Sequence, residues 1–238
     1  TFSRLDVKSH ALLWQQTVSN VGPTLVTSED SVYGIRNDIN AVKDRTSVFA
    51  LNLNNGAMRW DTEVGSPSFL DGLMATDKSV YVMSDMGNIY VLDRATGKIR
   101  RVIDTKRLGA QLTPSVSIIG GVAYGSTKDA FVAIDTRTSV LLWSKPKDKA
   151  LQADAPIVIG DTVYVSASGE SGLGADQKVW GFSYAFDANS GEQKWIYSCN
   201  NTLCSDLAVA NGLVILNGGT LALNAKDGKK VWHVEPYN

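Results

Sequence analysis

The 238-residue chain carries 23 Lys and Arg against 24 Asp and Glu, a net charge of -1, and is 44% hydrophobic and 20% charged. That composition suits an ordinary soluble globular chain, and near-neutrality removes the electrostatic reason to expect nucleic acid or an acidic membrane surface. No apolar run approaches the ~18 residues that a membrane-spanning helix needs.

In chain order, Phe2–Val7 and Ala11–Val18 read as two short strands over residues 2–19. Residues 22–64, 66–105, 112–146, 154–198 and 204–236 each read as four. In the second of these, Ser79-Val-Tyr-Val-Met-Ser ends at the Met86-Gly87 turn, and Asn88-Ile-Tyr-Val-Leu-Asp runs on into Thr96-Gly97. Short β-branched and aromatic runs punctuated by Gly, Asn and Asp are hairpin signals, and no window holds a sustained 3.6-residue apolar period.

Each segment closes on one phrase: an acidic or amide residue, a turn and, eight positions on, a large residue. The copies are Asp6…Trp14, Asn52…Trp60, Asp93…Arg101, Asp135…Trp143, Asp187…Trp195 and Asn224…Trp232. Gly56, Gly97, Gly191 and Gly228 sit in four of the turns; Ser9-His10 and Thr138-Ser139 replace the glycine in two. A repeat of roughly 40 residues lies in the range of propellers and solenoids. Four short antiparallel strands per repeat make one propeller blade, so the fold class read from the chain is an all-β propeller with about five and a half blades.

Ala185-Phe-Asp187-Ala-Asn-Ser190-Gly191-Glu-Gln-Lys-Trp195 and Ala50-Leu-Asn52-Leu-Asn-Asn-Gly56-Ala-Met-Arg-Trp60 resemble the tryptophan-docking repeat of pyrroloquinoline quinone (PQQ) type β-propellers. The resemblance covers nearly the whole chain. It implies that Trp14, Trp60, Trp143, Trp195 and Trp232 lie between neighbouring blades near the next repeat's glycine. An indole buries ~150–250 Å² and its N–H wants a partner, which agrees with that role. Arg101 departs from the pattern and implies a wetter junction, or a stem covering apolar surface with its head in water. Rings of this family commonly have seven or eight blades. The half blade 2–19 and the complete last blade do not complete one another, so a partial propeller is expected, with further blades supplied by another segment or another chain, or by self-association. An irregular six-bladed ring is the alternative. The start at Thr1 reads as a removed leader or an excised segment.

The tight turns fall on one face of such a propeller, and the long connections fall on the other. Arg36–Thr46 and Ser168–Lys178 are the longest, joined by 106–112, 147–153 and the Cys loop. Insertions biased to one face mark a binding face. Its candidate loop residues are Asp38, Asn40, Asp44, Arg45, Arg107, Glu170, Asp176 and Lys178. Lys145-Pro-Lys147-Asp-Lys149 reads as a solvated loop. Cys199 and Cys204 bracket a polar turn and are expected to form a disulfide, which implies an oxidising compartment; two reduced buried thiols are the alternative. Asn200-Asn201-Thr202 is a glycosylation acceptor triplet.

The resemblance also includes PQQ dehydrogenases, which hold the quinone and a calcium ion using an acidic base, amides, an Arg and often adjacent cysteines. Cys199 and Cys204 are not adjacent. Asp38, Asn40 and Asp44 lack the glycine and closing Glu of a calcium loop. Gly169–Gly174 lacks the strand-to-helix context of a phosphate cradle, and His10 and His233 support neither a triad nor a zinc site. The expectation is a binding or assembly scaffold outside the cytoplasm (periplasmic, cell-surface, lumenal or secreted) with a protein partner and no cofactor. It is similar to the propeller lipoprotein of bacterial outer-membrane assembly. The alternatives are a fragment of a PQQ-dependent alcohol or sugar dehydrogenase, and a structural subunit assembling through open propeller edges.

Overall fold

The computed structural model describes residues 1–38, 45–64, 70–172 and 176–234. Asn40, Asp44 and the expected blade boundaries at 66 and 236 lie outside them. The chain divides into two compact units, Thr1–Arg107 and Leu108–Asn238.

In the first unit, β1 (Phe2–Leu5) pairs with β2 (Leu12–Gln16). β3 (Val21–Thr27), β4 (Ser31–Asp38), β5 (Arg45–Asn52) and β6 (Met58–Glu63) form one antiparallel meander. β7 (Leu70–Ala75), β8 (Ser79–Ser84), β9 (Asn88–Asp93) and β10 (Ile99–Asp104) form a second. In the other unit, β11 (Ser117–Ile119), β12 (Val122–Ser126), β13 (Ala130–Asp135) and β14 (Val140–Pro146) repeat the pattern. A longer sheet holds β15 (Gln152–Ala153), β16 (Ile157–Ile159), β17 (Thr162–Ser171), β18 (Lys178–Asp187) and β19 (Gln193–Ser198). The last holds β20 (Ala208–Ala210), β21 (Leu213–Leu216), β22 (Leu221–Asn224) and β23 (Lys230–His233).

The middle strands explain the apolar runs. Every residue of β8, from Ser79 to Ser84, is buried, as expected for a strand covered on both faces. The fourth strand of each meander alternates instead: Trp60 is buried between exposed neighbours on β6. In β15–β16 the innermost strand is broken at Asp154-Ala155-Pro156, and both pieces pair with β17. Pro156 has no N–H to give the ladder, which fits an interruption there.

A bulge sits at the same place in every sheet. Ala50, Ala133, Ala185 and Ala222 stand opposite Trp60, Trp143, Trp195 and Trp232, and the next pairing skips Arg59, Leu142, Lys194 or Val231. Arg4–Trp14 and Val91–Arg101 are followed by the same skip. One unpaired residue re-aims the side chain beside it, so the anchor turns away from its own sheet.

The turn before each bulge is held by its first side chain. Asp93 Oδ1 accepts from the N–H groups of Ala95 and Thr96 at 3.0 and 2.8 Å, and Asp187 does the same for Asn189 and Ser190. These bonds hold the Asp93 and Asp187 carboxyls below the ordinary carboxylate range. At Asp135 the Arg137 side chain is the larger cause, with backbone bonds added, and the pKa falls to about 2. A folded pKa below the unfolded one gives stability that is present above ~4. It is lost as pH falls through the folded values. Asn52 and Asn224 fill the same position, accepting at 2.8 Å from the N–H of Asn54 and Lys226 without a titrating group. Changing Asp93 and Asp187 to Asn is therefore expected to keep the turns and flatten the loss of urea resistance below pH 4. An unchanged acid slope would show that these carboxylates do not carry it.

Candidate functional site

Four junctions between sheets share one geometry. Trp14 Nε1 donates to Leu53 O at 2.7 Å, Trp60 to Arg94 O at 3.0 Å, Trp143 to Ala188 O at 2.9 Å and Trp195 to Ala225 O at 2.9 Å. The acceptor is always the residue after the turn's Asx. A tyrosine from the second strand joins three of them, with Tyr33–Trp60, Tyr124–Trp143 and Tyr164–Trp195 ring centroids 5.8, 6.1 and 6.0 Å apart. Trp232 differs: it is 37% exposed. Between β3–β6 and β7–β10 a polar latch supplements the indole. Arg94 reaches Asp30 at 2.5 Å and the Tyr33 hydroxyl at 3.1 Å, and Arg59 reaches Asp30 at 2.7 Å. Arg94 first, then Arg59, holds the Asp30 carboxyl far below its ordinary range.

The opposite end of the sheets carries the long connections. Here the expected loop assignment needs correction. Glu170 and Lys178 are strand residues: Glu170 pairs with Val179 and Ser171 with Lys178, so the β17–β18 ladder runs ten residues deep. Asp38 and Arg45 also pair, closing the ladder of β4 and β5. The composition misled because Ser168-Gly-Glu-Ser171 is polar and glycine-bearing, yet the glycines serve close packing within the sheet. A Cβ on Gly169 would lie 2.9 Å from Trp180 Cε2, and one on Gly181 would lie 2.3 Å from Cys204 N. Asp176 is exposed just before β18. Arg107 is exposed and pairs with Asp104 at 3.1 Å.

Cys199 and Cys204 form a disulfide with Cα atoms 5.9 Å apart. Rather than standing in solvent, the loop lies against β17 and β18 with both cysteines buried. Cys204 N donates to Ser168 Oγ at 2.8 Å, Ser168 Oγ donates to Cys204 O at 3.0 Å, and Cys199 N donates to Gly181 O at 2.9 Å. Asn200 lies at the outer turn of this loop, exposed, with φ of 43°.

Between the overhanging strands and the Cys loop is a cavity of about 320 Å³. Its polar lining includes Gln152, Asp154, Ser168, Glu170 and Ser205, with Leu203 as an apolar wall and no Lys or Arg. Asp154 Oδ2 accepts from Ser166 Oγ at 2.7 Å, and Glu170 Oε2 from Gln177 Nε2 at 3.0 Å. Nearby, Lys147 departs from the solvated reading: its Nζ donates to Leu151 O and Lys128 O at 2.6 and 2.8 Å. Burial pushes its pKa down.

Sequence reasoning missed the polar latch, Trp180 and the role of Ser168. The recurring Val-Tyr of the second strand (Val32-Tyr33, Val163-Tyr164) was an available signal for two of the three tyrosines, whereas Tyr124 follows Ala123. Trp180 falls outside the repeat, and nothing local marks Ser168 as the partner of a loop 36 residues later.

Among the described residues no three His, Cys, Asp or Glu side chains come together as a cation site.

Comparison with known proteins places this architecture. The family model described as outer membrane protein assembly factor BamB matches residues 3–103, 86–183 and 181–237. The tetrathionate hydrolase of Acidithiobacillus ferrooxidans is 30% identical over 152 residues, covering 55% of this chain and 30% of that enzyme. The quinohemoprotein alcohol dehydrogenase of Comamonas testosteroni is 28% identical over 160 residues, 59% of this chain and 21% of the enzyme. The chain thus spans less than a third of either curated relative. The crystal structure of BamB from Moraxella catarrhalis superposes with a TM-score of 0.64 at 16% identity, covering 99% of this chain and 70% of that one. At that identity the likeness shows the propeller fold.

Proposed function

Since the chain belongs to the PQQ-repeat propeller family of the outer membrane protein assembly factor BamB, we propose that it is a non-catalytic binding scaffold. It works outside the cytoplasm and takes a protein partner on the end that carries the β17–β18 overhang and the Cys loop. The observation that carries this reading is the overhang itself. Strands of ten residues stand where β8 and β9 have six, and they wall a cavity whose charged groups are the carboxylates of Asp154 and Glu170. A site of that chemistry suits a basic side chain of a partner. The turns at the other end also border a cavity, of about 480 Å³, but its lining mixes Lys194 and Lys226 with Asp161 and so lacks the one-sign charge of the Asp154–Glu170 cavity. The buried disulfide supports an oxidising compartment.

The test compares capture of a natural partner by wild type and by Asp154→Lys and Glu170→Lys, alongside thermal melts. Both side chains are exposed, and Glu170→Lys is expected to shift stability by less than about 0.5 kcal/mol, whereas Asp154→Lys also removes the acceptor of the buried Ser166 hydroxyl and is compared with Asp154→Ala, which shares that loss. The expected result is loss of capture at an unchanged melting temperature in Glu170→Lys, and weaker capture by Asp154→Lys than by Asp154→Ala. Retained capture in both variants would overturn the face assignment.

A further inference from the structure

Three junctions between sheets differ at the same three positions. These are the residue just before the second strand, the residue skipped by the bulge, and the residue after the Asx of the following turn. Between β3–β6 and β7–β10 they are Asp30, Arg59 and Arg94, and all three are charged. The Asp30 carboxylate takes Arg94 on Oδ1 at 2.5 Å and Arg59 on Oδ2 at 2.7 Å, and Arg94 Nε also donates to the Tyr33 hydroxyl at 3.1 Å. Between β11–β14 and β15–β19 they are Gly121, Leu142 and Ala188, and none is charged.

Between β15–β19 and β20–β23 the residues are Asp161, Lys194 and Ala225. The first half of the latch is present: Lys194 Nζ lies 3.0 Å from Asp161 Oδ1 and donates to Thr162 Oγ1 at 2.8 Å. The second half is missing, because alanine stands where Arg94 reaches back. The backbones match. Trp195 Nε1 donates to Ala225 O as Trp60 Nε1 does to Arg94 O, and Ala225 N bonds Gly212 O as Arg94 N bonds Lys78 O. The alanine therefore leaves room within an unaltered junction. The cavity of about 480 Å³ lies there, with Asp161, Tyr164, Ala225 and Lys226 in its lining, and it is large enough for a small ligand.

Its polar atoms repeat those that hold the Arg94 guanidinium. Among the described residues Asp161 Oδ2 takes no hydrogen bond, whereas both oxygens of Asp30 do. The Tyr164 hydroxyl donates to Ala225 O at 3.3 Å and keeps its lone pairs, as the acceptor role of Tyr33 requires. An open carboxylate oxygen beside a hydroxyl oxygen suits a planar fork of N–H donors. Lys226 is exposed and lines the same cavity, where it repels a bare cation and attracts a carboxylate. We propose that this cavity is a socket for a guanidinium group on a ligand that also bears a carboxylate, as free arginine or the C-terminal arginine of a peptide does. The guanidinium meets Asp161 and Tyr164, and the carboxylate meets Lys226. The socket is separate from the Asp154–Glu170 cavity and does not rest on the role given to that one.

The test titrates the full chain with L-arginine, Nα-acetyl-L-arginine, argininamide and L-lysine, following amide chemical shifts by NMR. L-Arginine is expected to give saturable shifts at Thr162, Gly212 and Ala225. L-Lysine, without the fork, should bind more weakly. Argininamide should lose about two- to fivefold in affinity, the worth of one exposed ion pair, and Lys226→Gln should level it with arginine. Equal binding of the acetylated form assigns the socket to a peptide C-terminus, and weaker binding assigns it to the free amino acid. Ala225→Arg fills the socket with the chain's own guanidinium and should remove the shifts. Asp161→Asn changes an exposed side chain and should weaken binding by a similar factor of about two to five, which keeps the test open if Ala225→Arg does not fold. No saturable shift in wild type, equal affinity for L-lysine and L-arginine, or undiminished shifts in both Ala225→Arg and Asp161→Asn would overturn the inference.

Discussion

Changing Trp143 to alanine is expected to cost about 3–5 kcal/mol, the range for emptying a large buried aromatic site. The indole is 7% exposed, stacks near Tyr124 and Phe186, and gives its N–H to Ala188 O. Gly191→Ala should act on the same contact from the other side. Its Cβ would meet Trp143 Cδ2 at 2.6 Å, and its φ of 67° adds backbone strain, together about 1–3 kcal/mol. The double variant should then cost less than the sum, because removing the indole removes the clash. A coupling of about 1 kcal/mol or more is in the range for residues in direct contact. Urea denaturation of the four proteins measures it, and strict additivity would mean that the glycine is there for its φ alone.

Replacing both Cys199 and Cys204 by serine is expected to cost about 2 kcal/mol, the chain-entropy figure for so short a loop. The urea midpoint would report it. The loss should be local in its first effect: amide protection falls at Cys199 and Cys204, whose N–H groups bond Gly181 O and Ser168 Oγ. Junction amides such as Gly191 N, bonded to Asp187 O, should keep theirs. Equal loss of protection at both places would show that the loop and the sheets open as one unit.

Much of the fold was legible because the repeat states it several times. One Asx-to-Trp phrase is weak; five in register, with Arg101 ending a sixth, mark the turn, the bulge and the last strand of every sheet, and the structure has a bulge at each. The disulfide was legible as well, since two cysteines bracketing a turn have little else to do. The overhang was not. Gly169, Glu170 and Ser171 have loop composition, and what places them in a strand is Trp180 and Cys204, which come from a facing strand and a later loop. The polar latch escaped for the same reason. Arg94, Asp30 and Arg59 are far apart in the chain, and no spacing rule brings them together. Local chemistry was readable from local sequence, whereas contacts made across sheets required the structure.

The stacking of ring on turn also limits the order in which a repeat can change over a lineage. While the indole is present, any side chain on the turn meets it at less than van der Waals distance, as the 2.6 Å approach at Gly97 shows. Once the indole is gone, the turn tolerates serine or histidine at little cost. Tryptophan must therefore be lost first and glycine second, and the reverse order passes through an overpacked intermediate. Arg101 with Ser139 in the next repeat is the pair of residues on which such a path would end. Repeats with Arg and a retained glycine are permitted waypoints, while a tryptophan repeat facing a non-glycine turn is a dead end.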